Sequence, residues 1–89
     1  MYISKEKKEK ISEQILAYLY ITNPKPIFTF HIAKEIARDE EFVKKLLKEM
    51  KKKELVIEIN KNSLGKEYLK RSRWKLSEKA YLFYRQKQA

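Results

Sequence analysis

The chain has 89 residues, 43 % hydrophobic and 12 % aromatic, with no cysteine and a formal net charge of +10. This composition excludes disulfides, thiol catalysis and cysteine-ligated zinc, argues against a disordered basic tail, and predicts one small domain whose core needs most of its large apolar residues. No apolar run approaches the ~20 residues of a membrane span, and the opening MYISKEKKEK lacks the apolar stretch of a signal peptide, so a cytoplasmic protein without membrane contact is expected.

In chain order, residues 4–22 read as a first helix with Ser4 at the N-cap. Ile11, Ile15 and Leu19, with Tyr18 and Thr22, recur every three or four positions as an apolar stripe. Glu6, Glu9 and Glu13 alternate with Lys5, Lys8 and Lys10 on a solvated face. Asn23, Pro24, Lys25 and Pro26 stop the helix. Residues 27–29 form a short extended piece, and Thr29 suits the cap of a second helix over 30–38 with Ile32, Ala33, Ile36 and Ala37 on its apolar face. Asp39 is the next N-cap, and Glu40 and Glu41 fall in a first turn whose dipole favours acids. The third helix spans 40–53 and buries Val43, Leu46, Leu47 and Met50, with Phe42 flanking. The period then changes to 2. Leu55, Ile57 and Ile59 alternate with Val56, Glu58 and Asn60, which predicts a strand over 55–60 buried on one face. A turn-rich segment holds the only glycine, Gly65, and a second strand over 67–76 returns antiparallel with Trp74 and Leu76 inward. Ser77 caps a last helix over 78–88, where Ala80, Phe83 and Tyr84 share a face.

Two helices joined by a tight turn and followed by a hairpin, in the text FTFHIAKEIARDEEFVKKLLKEMKKKELVIEI and then RWKLSEKA, resemble a winged helix-turn-helix domain of the small prokaryotic or archaeal regulator type. The resemblance covers about residues 10–88. It is a pattern of apolar positions, so it specifies a fold better than a function. It implies one domain over residues 1–89, α+β but mostly α: a three-helix core, a two- to three-stranded antiparallel wing and a C-terminal helix.

The charge is divided along the chain. Residues 1–41 carry 7 Lys+Arg and 7 Asp+Glu, whereas residues 42–89 carry 15 and 5, so the whole excess lies in the second half. That is the footprint of a surface facing a polyanion. In the resembled family the third helix enters the major groove, and Lys44, Lys45, Lys48, Lys51 and Lys52 lie opposite its apolar stripe. A solvated helix face is the plainer account of those lysines. The basic hairpin, with Lys61, Lys66, Lys70, Arg71 and Arg73 against Glu67, shifts the balance towards double-stranded DNA, on its backbone or minor groove. Base readout has less support. The third helix contains no Arg, Asn or Gln, and its acidic first turn serves capping better than contact with phosphates. Arg38 and Arg73 are the best candidates for reading sequence.

His31 stands without a cysteine or carboxylate pair and is not expected to bind metal. No nucleophile–base set or Gly-rich phosphate loop is present, so no enzyme activity, cofactor or small-molecule ligand is expected. Aromatic residues gather at the two ends of the chain, and Tyr18, Tyr81, Phe83 and Tyr84 are the candidate interface of a homodimer. The alternative to a DNA-binding regulator is a winged-helix module that binds protein or RNA within a transcription, replication or ribosomal assembly. A further alternative is a non-specific architectural DNA-binding protein. The Lys and Glu bias is that of hyperthermophile proteomes, with the codon usage of a low-GC genome as the plainer alternative.

Overall fold

Seven elements follow one another in the computed structural model, which describes residues 4–60 and 72–88: α1 (Lys5–Thr22), β1 (Ile27–Phe28), α2 (Thr29–Glu35), α3 (Glu40–Lys52), β2 (Val56–Ile59), β3 (Arg73–Leu76) and α4 (Glu78–Gln88). The strands form one antiparallel sheet in the order β1-β3-β2. The fold is a winged helix-turn-helix: α2 and α3 around a tight turn, a hairpin after them, and α1 and α4 closing the other side. The Lys61–Arg71 part of the expected wing, with Lys66 and Lys70, lies outside the described residues.

The helix caps are those the sequence offers. The Ser4 side chain accepts from Lys7 N at 3.3 Å, that of Asp39 accepts from Phe42 N at 3.1 Å, and that of Ser77 accepts from Ala80 N at 3.1 Å. Thr29 departs from this pattern. It is the first residue of α2 rather than its cap; Phe28 takes the cap position and makes no side-chain cap bond. The Thr29 hydroxyl is drawn instead into the core, where Trp74 Nε1 donates to it at 2.8 Å.

α2 is shorter than its apolar pattern predicts, ending at Glu35 rather than at residue 38. The cause is a left-handed residue. Ala37 has φ 56°, Ala37 N donates to Lys34 O, and Arg38 N donates to Ala33 O. This pair of bonds is a Schellman motif, which ends a helix by turning one residue through positive φ. α3 ends the same way, with Glu54 at φ 62°, Glu54 N on Lys51 O and Leu55 N on Met50 O. Glycine is the usual occupant of such a position because it lacks a Cβ. This chain has one glycine and places it elsewhere.

The core gathers Ile11, Ile15, Leu16 and Leu19 of α1, Ile32 and Ala33 of α2, and Val43, Leu46, Leu47 and Met50 of α3. Ile27, Val56, Trp74 and Leu76 join it from the sheet and Ala80 from α4. Trp74 is completely buried at its centre. The face that β2 buries is not the more hydrophobic one. Val56 of β2 is buried and Ile57 is 41 % exposed, so the face of β2 that meets the core is the one carrying Val56 and Glu58. The register confirms it: Val56 pairs with Leu76 and Glu58 with Trp74, both inward residues, while Ile57 pairs with Lys75 and Ile59 with Arg73.

Candidate nucleic-acid interface

α3 is positioned by its apolar stripe, and that stripe decides where its lysines point. With Val43, Leu46, Leu47 and Met50 buried, Lys44, Lys45, Lys48, Lys51 and Lys52 are all exposed. Arg38 is exposed in the Schellman turn just before α3. Asp39 is committed to capping, and Glu40 and Glu41 sit exposed in the first turn, where the helix dipole accommodates them.

Two of these lysines are not simply solvated. Lys48 Nζ donates to both carboxylate oxygens of Glu58, at 3.1 and 3.2 Å, and Lys51 Nζ donates to Oε1 at 2.9 Å. Ser72 Oγ donates to Oε2. Lys48 Nζ also lies 5.8 Å from the centre of the Trp74 ring. Burial alone would raise the Glu58 pKa, but the hydrogen bonds from Ser72, Lys51 and Lys48 outweigh it and hold the carboxyl at about 2. Lys48 and Lys51 lie one helical turn apart on the same side of α3, so a single carboxylate on the neighbouring strand can hold both.

Arg73 occupies the other face of the sheet from Trp74, as the alternation of β3 requires. It is flanked across the strands by Phe28 and Ile59, and its guanidinium carbon lies 5.9 Å from the centre of the Phe28 ring. Arg73 and Ile59 are the described pair nearest the hairpin loop. The structure therefore brings Lys48 and Lys51 together at the inner face of the hairpin and sets Arg73 on its outer face, beside Lys75. Lys75 and Glu58 escaped the sequence reading. Lys75 is marked only by its alternation with Trp74 and Leu76. Glu58 is the one acid on the described strands, and it faces basic helix residues.

The dimer candidates lie away from this surface, where α1 and α4 pack. Tyr20 of α1 meets Tyr81 and Tyr84 of α4 with ring centroids 5.6 and 5.9 Å apart, so both α4 tyrosines are partly used within the chain. Burial and the nearby Glu13 carboxylate push the Tyr84 pKa up. Tyr18 is half-buried, and its carbonyl accepts from the Thr22 hydroxyl at 3.1 Å. Phe83 is 55 % exposed and forms one wall of an open groove lined also by Leu16, Ala17, Leu55 and Ala80. Among the described residues no three His, Asp or Glu side chains are grouped to hold a metal ion, and no helix is long and apolar enough to cross a membrane.

A capped helix with a lysine face is joined here through a carboxylate to a basic-flanked hairpin, on a winged helix-turn-helix fold. No protein-family model matches the chain, nor does any curated protein. Solved structures do. The Staphylococcus aureus MepR–DNA complex matches with a TM-score of 0.75 and 19 % identity over 93 % of this chain and 65 % of that one. A variant of Lactococcus lactis ZitR matches with a TM-score of 0.70 and 20 % identity over 99 % of this chain and 56 % of that one. MepR, described as a transcription regulator of the S. aureus multidrug efflux pump MepA, also matches as a separate crystal structure, with a TM-score of 0.62 and 20 % identity over 93 % of this chain. The chain spans 53 % of another MepR structure, so it corresponds to little more than half the length of some of these regulators.

Proposed function

We propose that the chain binds double-stranded DNA as a winged-helix transcription regulator, with α3 in the major groove and the hairpin on the backbone or minor groove. The observation that carries this reading is the exposed lysine face of α3, joined directly to the hairpin, on a fold shared with a regulator solved on DNA. The absence of Arg, Asn and Gln from α3 supports contacts made chiefly to phosphates and groove shape, with Arg38 and Arg73 as the residues able to read bases. Lys44, Lys45 and Lys52 serve as phosphate contacts. Lys61, Lys66, Lys70 and Arg71 belong to the same proposal on the strength of sequence alone. The exposed Phe83 and the groove beside it support a homodimer through α1 and α4, with Tyr18, Tyr81 and Tyr84 at its edge. A dimer places two half-sites one helical turn, or a multiple of it, apart. The Lys and Glu bias supports a thermophilic source, and the resemblance to small winged-helix regulators supports an archaeal one.

The test is binding to duplex DNA across a salt series, on protein whose oligomeric state has been fixed by sedimentation. A dimer that neutralises about eight phosphates gives a slope of log K against log salt near −7. Lys44→Ala and Lys52→Ala weaken binding to every sequence alike, whereas Arg73→Ala relaxes sequence preference. The acidic first turn of α3 favours a second reading, a module that binds protein or RNA. Preference for duplex RNA over duplex DNA in competition would select it.

A further inference from the structure

Glu58 is the only acid on β2 and β3 as described, and the two charged groups it pairs with, Lys48 and Lys51, are both positive. An acid inside a DNA-binding surface repels phosphates, so its place there needs a reason. Its side chain is only 6 % exposed, while those of Lys48 and Lys51 are 47 % and 51 % exposed. The carboxylate is thus turned in under the lysines rather than out towards a ligand. An ammonium carries three hydrogens. Among the described residues Lys48 gives two bonds to Glu58 and Lys51 gives one, so each ammonium can still donate towards solvent. Charge-assisted bonds at these distances fix the long lysine chains, which otherwise sample many rotamers. The same carboxylate accepts from Ser72, next to β3, so one group ties α3 to both strands of the hairpin.

We infer that Glu58 is a positioning residue for DNA binding: it holds Lys48 and Lys51 of α3 against the hairpin, so that helix and wing meet a duplex as one unit with both ammoniums already ordered. This rests on the DNA-binding reading above. It makes a claim of opposite sign to net charge. Removing an acid from a basic surface should tighten binding to a polyanion. Removing a positioning residue loosens it, because the ordering of two lysine chains must then be done on binding.

The experiment compares the full chain with E58Q, K48A/K51A and K48A/K51A/E58Q for binding to a labelled random duplex over a salt series. Thermal unfolding of each confirms that it is folded. E58Q is expected to bind roughly tenfold more weakly, about 1.4 kcal/mol. The same substitution is expected to change nothing in the K48A/K51A background, where there is nothing left to position. Lysine ammonium resonances of Lys48 and Lys51 are expected to be sharp in the unsubstituted chain and broadened by exchange in E58Q. If E58Q does not fold, E58D takes its place. It keeps the charge but withdraws it by one methylene, and a loss of affinity at unchanged net charge supports the role. E58Q binding as tightly as the parent or more so overturns the inference. So does a loss of the same size in the K48A/K51A background, which marks a merely structural effect. A parent chain that binds no duplex at all overturns the DNA-binding reading and the positioning role with it.

Discussion

Replacing Thr29 with valine isolates a buried side-chain hydrogen bond that joins β3 to the start of α2. The two side chains have nearly the same shape, so packing is preserved and only the acceptor is lost. Thr29 is 7 % exposed and Trp74 is fully buried, and the bond between them is 2.8 Å long. An indole N–H can only donate. Without the hydroxyl it remains buried without that acceptor, a desolvation cost of about 1–3 kcal/mol. In a domain of this size each kcal/mol lowers Tm by roughly 4–8 °C. Thr29→Val is therefore expected to melt at least about 4 °C lower than the parent, by calorimetry and far-UV circular dichroism. Thr29→Ser keeps the hydroxyl and loses one methyl group, so it should cost about 0.8 kcal/mol plus a small cavity term. The decisive comparison uses Trp74→Phe, which removes the donor. In that background Thr29→Val should cost little or nothing, because no indole N–H is left to strand. A Thr29→Val protein as stable as the parent, or a cost unchanged in the Trp74→Phe background, would mean that the indole N–H does not depend on this acceptor.

Four further outcomes follow from the same structure. Val56→Ala should lose about 2 kcal/mol, and Ile57→Ala less than about 1, as read from urea denaturation; the reverse order would mean that the opposite face of β2 meets the core. Glu54→Gly and Ala37→Gly should each raise stability by about 0.5 kcal/mol, since glycine takes positive φ without a Cβ clash; a loss in both would contradict the Schellman geometry. The Glu58 carboxyl titrates near 2, below the 4.5 of an unperturbed glutamate. The unfolded chain thus binds more protons in that window, so the stabilisation is complete above about pH 4.5 and is lost as pH falls towards 2. E58Q should lose less stability than the parent across that window in acid denaturation. Glu13→Gln should lower the pKa of Tyr84, followed by ultraviolet absorbance titration, since the carboxylate is one of the two causes that raise it.

The helices were legible because each carries its own punctuation and a stripe of one period. Val43, Leu46, Leu47 and Met50 identify the buried face of α3 without reference to anything else in the chain. Ser4, Asp39 and Ser77 mark helix starts through bonds to residues three positions away. What escaped the sequence is non-local. By hydrophobicity alone, Leu55, Ile57 and Ile59 make the better inward face of β2. The strand is turned the other way because Glu58 finds Lys48 and Lys51 on α3, ten and seven positions earlier, and because Val56 must meet Leu76 across the sheet. The end of α2 was hidden for a related reason. Nothing in Ile36 or Ala37 announces a left-handed residue, and alanine is not where one is sought. For the interface, the lysines could be read from α3 alone, but the carboxylate that divides them into held and solvated sets could not.

The placement of Trp74 also gives the protein a built-in optical gauge. It is the single tryptophan among six tyrosines, so selective excitation sees one site only. That indole is fully buried, fixed at its nitrogen by Thr29, and overlain by the Lys48 ammonium. Its emission should be blue-shifted in the folded chain and move to the red on unfolding. A cation 5.8 Å from the ring also sets part of the local electric field, so any ligand that draws Lys48 away should alter the emission without disturbing the core. Unlabelled protein can then be titrated with DNA and followed through the contact between α3 and β3.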